Sequence, residues 1–88
     1  MTRETQYARW LRTSNPANDR RIERIHVKKN ERDEIRFSWW PNGRFAPRPL
    51  DLPEDELLPL FRNAIEENVF STEFLIGLRD LLNEKLDA

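Results

Sequence analysis

Apolar and polar residues alternate from Ile22 to Lys29, the period of a strand with one buried side. Ile25 and Val27 share one face of this predicted strand, and Arg24, His26 and Lys28 share the other. A polar turn at 30–33 separates it from a second alternating run, Glu34 to Trp40. There Ile35, Phe37 and Trp39 fall on one face, and Arg36, Ser38 and Trp40 on the other. Asn42-Gly43 follows, a strong hairpin signal because both central residues of a type I′ turn need positive φ. The pattern predicts a returning strand over Arg44–Arg48 with Phe45 inward. Pro47 and Pro49 cannot donate to a ladder, so this strand lies at an edge or leaves the sheet early.

The period then lengthens. Pro53 suits a first helical position, and Asp51, Glu54, Asp55 and Glu56 put negative charge where a helix dipole favours it. Leu57, Leu60, Phe61, Ala64 and Ile65 form a helical stripe that Pro59 interrupts, which predicts a kink or a late helix start. Ser71 is positioned to cap a second helix, with Phe70 stapling onto Leu75. The apolar face of that helix is Phe74, Leu75, Leu78, Leu81, Leu82 and Leu86. Gly77 within it reads as a site of close approach by a neighbour. At the other end, Tyr7, Trp10 and Leu11 suit a short amphipathic helix or an extended arm, and 13–20 is turn-rich. The expected fold is α+β in a single domain spanning 1–88. An N-terminal arm or short helix (1–20) precedes an antiparallel meander of about three strands (21–50). Two C-terminal helices (51–88) pack on one sheet face.

Composition adds a division of charge. Residues 1–50 carry twelve Lys/Arg against six Asp/Glu, a balance of +6, whereas 51–88 carry three against ten, a balance of −7. Such asymmetry points to an anionic partner for the basic half, or to attraction between the halves. Nine aromatic residues argue against disorder. The chain has no cysteine, so disulfides, thiol nucleophiles and thiolate metal sites are excluded. No apolar run approaches the ~20 residues that span a bilayer, and the first residues lack the apolar stretch of a secretory signal. The expected location is the cytoplasm, without membrane association. A chain this short has a thin core, and dimerisation through the C-terminal helices would supplement it.

Catalysis finds no constellation. His26 is the only histidine, the serines lack an activating pattern, and the two glycines have structural roles, so neither catalytic nor metal-ligating residues nor a cofactor are expected. The basic strand positions carry the functional signal. Strand parity places Arg24, His26, Lys28, Arg36, Ser38, Trp40, Arg44 and Arg48 together, away from the core. Cations neutralise phosphates and an exposed indole stacks on an unpaired base. Arg24, Lys28, Arg36, Trp40, Arg44 and Arg48 are therefore the expected contacts to single-stranded DNA or RNA in a non-catalytic module, as in a transcription or replication accessory protein. The alternatives are a solvated structural face and a protein-interaction adaptor acting through the acidic helices.

Ile35-Arg36-Phe37-Ser38-Trp39, then Gly43, Pro47-Arg48 and Leu50-Asp51-Leu52 before an acidic helix start, resembles the core of the positive-cofactor-four family of transcriptional coactivators. The resemblance covers residues 34–65. It implies a curved four-stranded antiparallel sheet backed by a helix, binding single-stranded DNA as a dimer formed largely through helices. It also implies a phosphate contact at Arg36, the family tryptophan at Trp39 and a basic-segment contact at Arg48. The chain departs from the family in Pro47-Arg48-Pro49, where a Lys/Gly-rich stretch is usual, and in having two predicted helices. Parity and resemblance also disagree on the tryptophan, the first exposing Trp40 and the second using Trp39.

Overall fold

The computed structural model describes residues 4–14 and 19–87. Four strands, β1 (Ala8–Thr13), β2 (Arg20–Val27), β3 (Arg32–Trp39) and β4 (Leu50–Pro53), form one antiparallel sheet in the order β1-β2-β3-β4. Two helices follow, α1 (Glu54–Glu66) and α2 (Thr72–Leu86). The class is α+β as expected, with four strands where about three were predicted. The chain forms two compact units, Met1–Leu57 and Leu58–Ala88, the boundary falling within α1.

The fourth strand comes from the N-terminal segment, which is extended from Ala8 to Thr13 and not helical. Its pairing passes from Trp10↔Ile25 to Arg12↔Arg24, so Leu11 is an extra residue, a bulge that bends an edge strand. The predicted return strand over 44–48 does not form. Pro41–Gly43 make a single 3-10 turn in which Asn42 (φ 54°) and Gly43 (φ 77°) take the positive φ that Asn-Gly predicts. The chain then runs irregularly through Pro47 and Pro49, whose missing N–H groups cannot support a ladder. Pairing resumes only at β4, where Leu50 meets Phe37, Asp51 meets Arg36 and Leu52 meets Ile35. Asp51 thus belongs to a strand, not to the helix entry.

The register of β2 on β3 decides which side chains share a face. Four residues, Lys28–Glu31, connect them, and Val27 pairs with Arg32, so every odd position of β2 lies opposite an even position of β3. Partners in an antiparallel pair point to the same side. Ile25 and Val27 therefore share a face with Glu34, Arg36, Ser38 and Trp40. Arg24 and His26 share the opposite face with Ile35, Phe37 and Trp39. The buried apolar cluster of Ala8, Ile25 and Val27, with Trp10 packed on it, sits on the first of these faces. Burying Ile25 and Val27 contributes roughly 1.5–3 kcal/mol each.

In α2, Ser71 caps the helix as expected, its hydroxyl accepting from the Phe74 amide at 3.1 Å. Phe70 packs against the rings of Phe61 and Phe74. α1 begins at Glu54 with no late start, and Pro59 lies inside it. A Cβ added at Gly77 would meet no atom within 4 Å, so the expected close neighbour is absent among the described residues. Gly77→Ala is accordingly predicted to stabilise the chain by up to about 1 kcal/mol through helix propensity, visible as a higher denaturation midpoint. An unchanged or lower midpoint would mean that this position is crowded.

Candidate functional site

The structure separates the six predicted contact residues. Arg36 is 4% exposed and Trp40 8%, so the face read as open is the buried one. Arg36 donates from Nε and Nη2 to the two oxygens of Asp51 at 2.8 and 2.9 Å, a forked pair across β3 and β4. Three rings surround its guanidinium, Trp10 at 5.1 Å, Phe45 at 5.3 Å and Tyr7 at 5.8 Å. Burial alone would lower the Arg36 pKa. The hydrogen bond and charge of Asp51 outweigh it, so the group stays cationic. Here Arg36 is a structural cation with its own counter-ion, not a free phosphate contact.

Trp40 is the hub of a second buried chain. Its Nε1 donates to Ser38 Oγ at 2.9 Å, and Ser38 donates to Glu23 Oε1 at 2.8 Å. Glu23 is 1% exposed. The Trp40 ring packs on Phe45 at 5.0 Å, and the Arg21 guanidinium lies 4.2 Å from the ring centroid. The indole is therefore a platform for Arg21 and not an open stacking surface.

Arg24 and Lys28 lie on the other side of β2 and are engaged. Arg24 pairs with Glu54 at 2.7 Å and Asp33 at 3.7 Å. Lys28 pairs with Glu4 and donates to the Thr5 carbonyl at 2.7 Å. Only Arg44 and Arg48 of the six are exposed and, among the described residues, free of an ion pair.

His26, beside Arg24, donates toward Asp33 at 3.0 Å from Nδ1 and toward Glu31 at 3.3 Å from Nε2, an arrangement that suits the doubly protonated ring. The Asp33 hydrogen bond, then that of Glu31, raises the His26 pKa. Because the folded pKa lies above the unfolded value of ~6.5, the stabilisation is complete below that value. It is lost as pH rises through the folded pKa. Melting temperature is expected to fall on going from pH 6 to pH 9, and His26→Gln to flatten that dependence. An equal slope in both proteins would remove His26 as its source.

A different constellation is open. A groove of about 640 Å³ runs beside the start of β2, the end of β3 and the 46–49 segment. Among its lining residues are Arg20, Arg21, Arg48, Ile22, Phe37 and Trp39. Trp39 is 52% exposed and Ile22 54%. By register Arg20, Ile22, Phe37 and Trp39 share one face, so the groove combines the side chains of Arg20 and Arg48 with an indole and two apolar residues, while the Arg21 side chain stacks on Trp40 on the other face. Parity had placed Trp39 in the core, and Arg20 and Arg21 were not singled out at all. The signal for them lay in the even loop length, which sets opposite parity on β2 and β3.

Among the described residues no three His, Cys, Asp or Glu side chains are grouped to hold a metal, and no helix is long and apolar enough to cross a membrane. Compared with protein-family models, with curated proteins and with solved structures, the chain matches none.

Proposed function

We propose that the sheet unit binds single-stranded nucleic acid, with the strand seated in the Trp39 groove. The observation that carries this is a half-exposed tryptophan in a groove shared with Arg20 and Arg48. An indole stacks on any unpaired base, and guanidinium groups neutralise the backbone beside it. Arg44 and Arg48 remain contacts in this reading, whereas Arg24, Lys28, Arg36 and Trp40 hold the fold that presents the groove. Support also comes from the resemblance, which uses Trp39 and Arg48 and implies a four-stranded sheet followed by a helix. On this reading the chain is a non-catalytic accessory protein acting where DNA or RNA is unpaired.

Anisotropy titration of labelled oligothymidylate at about 50 mM salt tests it, since phosphate contacts are strongest at low ionic strength. Tight binding that weakens with salt is expected, and Trp39→Ala should lose ~1–3 kcal/mol of it. Absence of binding at low salt would sink the reading.

A second reading, a protein-interaction module, rests on the helical unit. Neither helix contains a buried residue, and Leu58 (77% exposed), Leu81 (64%) and Leu86 (77%) leave an extensive apolar surface. Residues 58–88 are also acidic, with three Lys/Arg against six Asp/Glu. A second copy of the chain is the proposed occupant, giving a homodimer. Light scattering would report twice the chain mass, and a monomer at high concentration would count against it.

A further inference from the structure

We propose that the Trp39 groove opens onto a two-base platform along β3, on which Trp39 stacks one base of a single strand and Phe37 the next, and that the platform ends at Ile35. The proposal rests on the single-strand reading and assigns the length and the limit of its site. Two features lead to it, the apolar rows of the sheet and the distribution of charge along them.

The register sets the rows. Across from β3, Arg20 lies opposite Trp39, Ile22 opposite Phe37 and Arg24 opposite Ile35. On the other side Leu50 and Leu52 of β4 flank Phe37 and Ile35. Partners in an antiparallel ladder point the same way, so these side chains share the face opposite the cluster of Ile25 and Val27. Leu50 is 53% exposed, close to the values of Ile22 and Trp39. A contiguous exposed apolar surface on so small a sheet marks a place where something binds. Trp39 and Phe37 stand two residues apart on one strand, about 7 Å, and so offer separate rings to successive bases of an extended strand. Ile22 and Leu50 widen the second position on either side.

Charge selects the occupant and limits its reach. Arg20 and Arg48 line the groove at the Trp39 end, where they can neutralise phosphates. Beyond Ile35 the next side chain of β3 on this face is Asp33, opposite His26. The cations there are committed. Arg24 is held by Glu54 and Asp33, and His26 by Asp33 and Glu31. A phosphate moving past Ile35 would meet three carboxylates whose neighbouring cations are already engaged. A cationic end and a carboxylate end on one apolar face together favour an anionic chain seated from Trp39 to Phe37.

The full chain would be titrated at low salt with thymidine 5′-monophosphate, the dinucleotide pTpT, and oligothymidylate of about 12 residues, a length within the span of single-strand sites. NMR signals of the Trp39 indole, the Phe37 ring and the Ile35 methyl groups report the three positions. Expected are a shift of Trp39 with the monophosphate, shifts of Trp39 and Phe37 with the two longer ligands, and little movement of Ile35 with any. Phe37→Leu keeps an apolar side chain and removes the ring. It should weaken the dinucleotide and the oligonucleotide about fivefold or more and leave the monophosphate unchanged. Leu50→Glu puts a carboxylate beside the second base at an exposed position. It should weaken the same two ligands with little change in melting temperature, and it decides the matter if Phe37→Leu fails to fold. If wild type binds the oligonucleotide and Leu50→Glu and folded Phe37→Leu keep its affinity, the platform is wrong and the strand reading stands. An Ile35 shift as large as that of Phe37 overturns the limit. A Phe37 signal that responds to protein concentration and not to nucleotide shows a second copy on this face and overturns the proposal. Silence with every titrant removes the platform and the strand reading together.

Discussion

Asp51→Leu is expected to cost about 3–5 kcal/mol of stability, the usual penalty for leaving one partner of a buried ion pair uncompensated. The Arg36 side chain is 5% exposed and that of Asp51 14%. Removing the carboxylate strands a permanent cation among Tyr7, Trp10 and Phe45. The rings attract a cation by only ~0.5–2 kcal/mol each, less than the lost forked pair. A domain of this size holds ~5–15 kcal/mol in total, so the variant should be partly unfolded at room temperature. The double change Arg36→Met with Asp51→Leu removes both charges and should recover most of the loss, because an apolar pair of similar volume replaces a desolvated one. Urea denaturation of the three proteins measures this. A single variant within about 1 kcal/mol of wild type, or a double variant as damaged as the single, would show that the pair is solvated in solution.

The two adjacent tryptophans should separate cleanly. Trp40→Ala empties a position that is 8% exposed, removes the packing on Phe45 and the support of Arg21, and leaves Ser38 without its donor. Large aromatic truncations of this kind cost about 3–5 kcal/mol. Trp39→Ala, at a half-exposed position, should change stability by about 0.5 kcal/mol while weakening oligonucleotide binding. Thermal denaturation and anisotropy on the same two variants read both effects. Equal destabilisation by the two changes would contradict the assignment of faces, whatever the binding result.

The grouping of side chains by face was within reach of the sequence, though not which face is buried. The alternation inside each run, Ile25 with Val27 and Arg36 with Ser38 and Trp40, stands in the structure. What failed was the assumption that the more apolar set of each strand shares one core. A connection with an even number of residues sets odd positions against even ones, and the observed Lys28–Glu31 loop has four. Applied to the runs ending at Lys29 and beginning at Glu34, the same rule would have placed Arg36 on the face of Val27 and Trp39 on the face of Arg24. The burial of charge on one face could not be foreseen in this way. Arg36 is tolerated there because β4 delivers Asp51 directly opposite it. The sequence pattern had instead assigned Asp51 to a helix entry.

By itself the sequence determined the α+β class, the positive φ at Asn42 and Gly43, the Ser71 cap and the exclusion of thiol chemistry. These follow from local periodicity, from single-residue conformational preference and from composition, which act over a few residues. Tertiary structure alone decided that the N-terminal segment is a strand, because Ala8 and Trp10 find Val27 and Ile25 across a ladder. It also decided that Trp39 and not Trp40 faces outward, because register and long-range ion pairing choose which face can be closed.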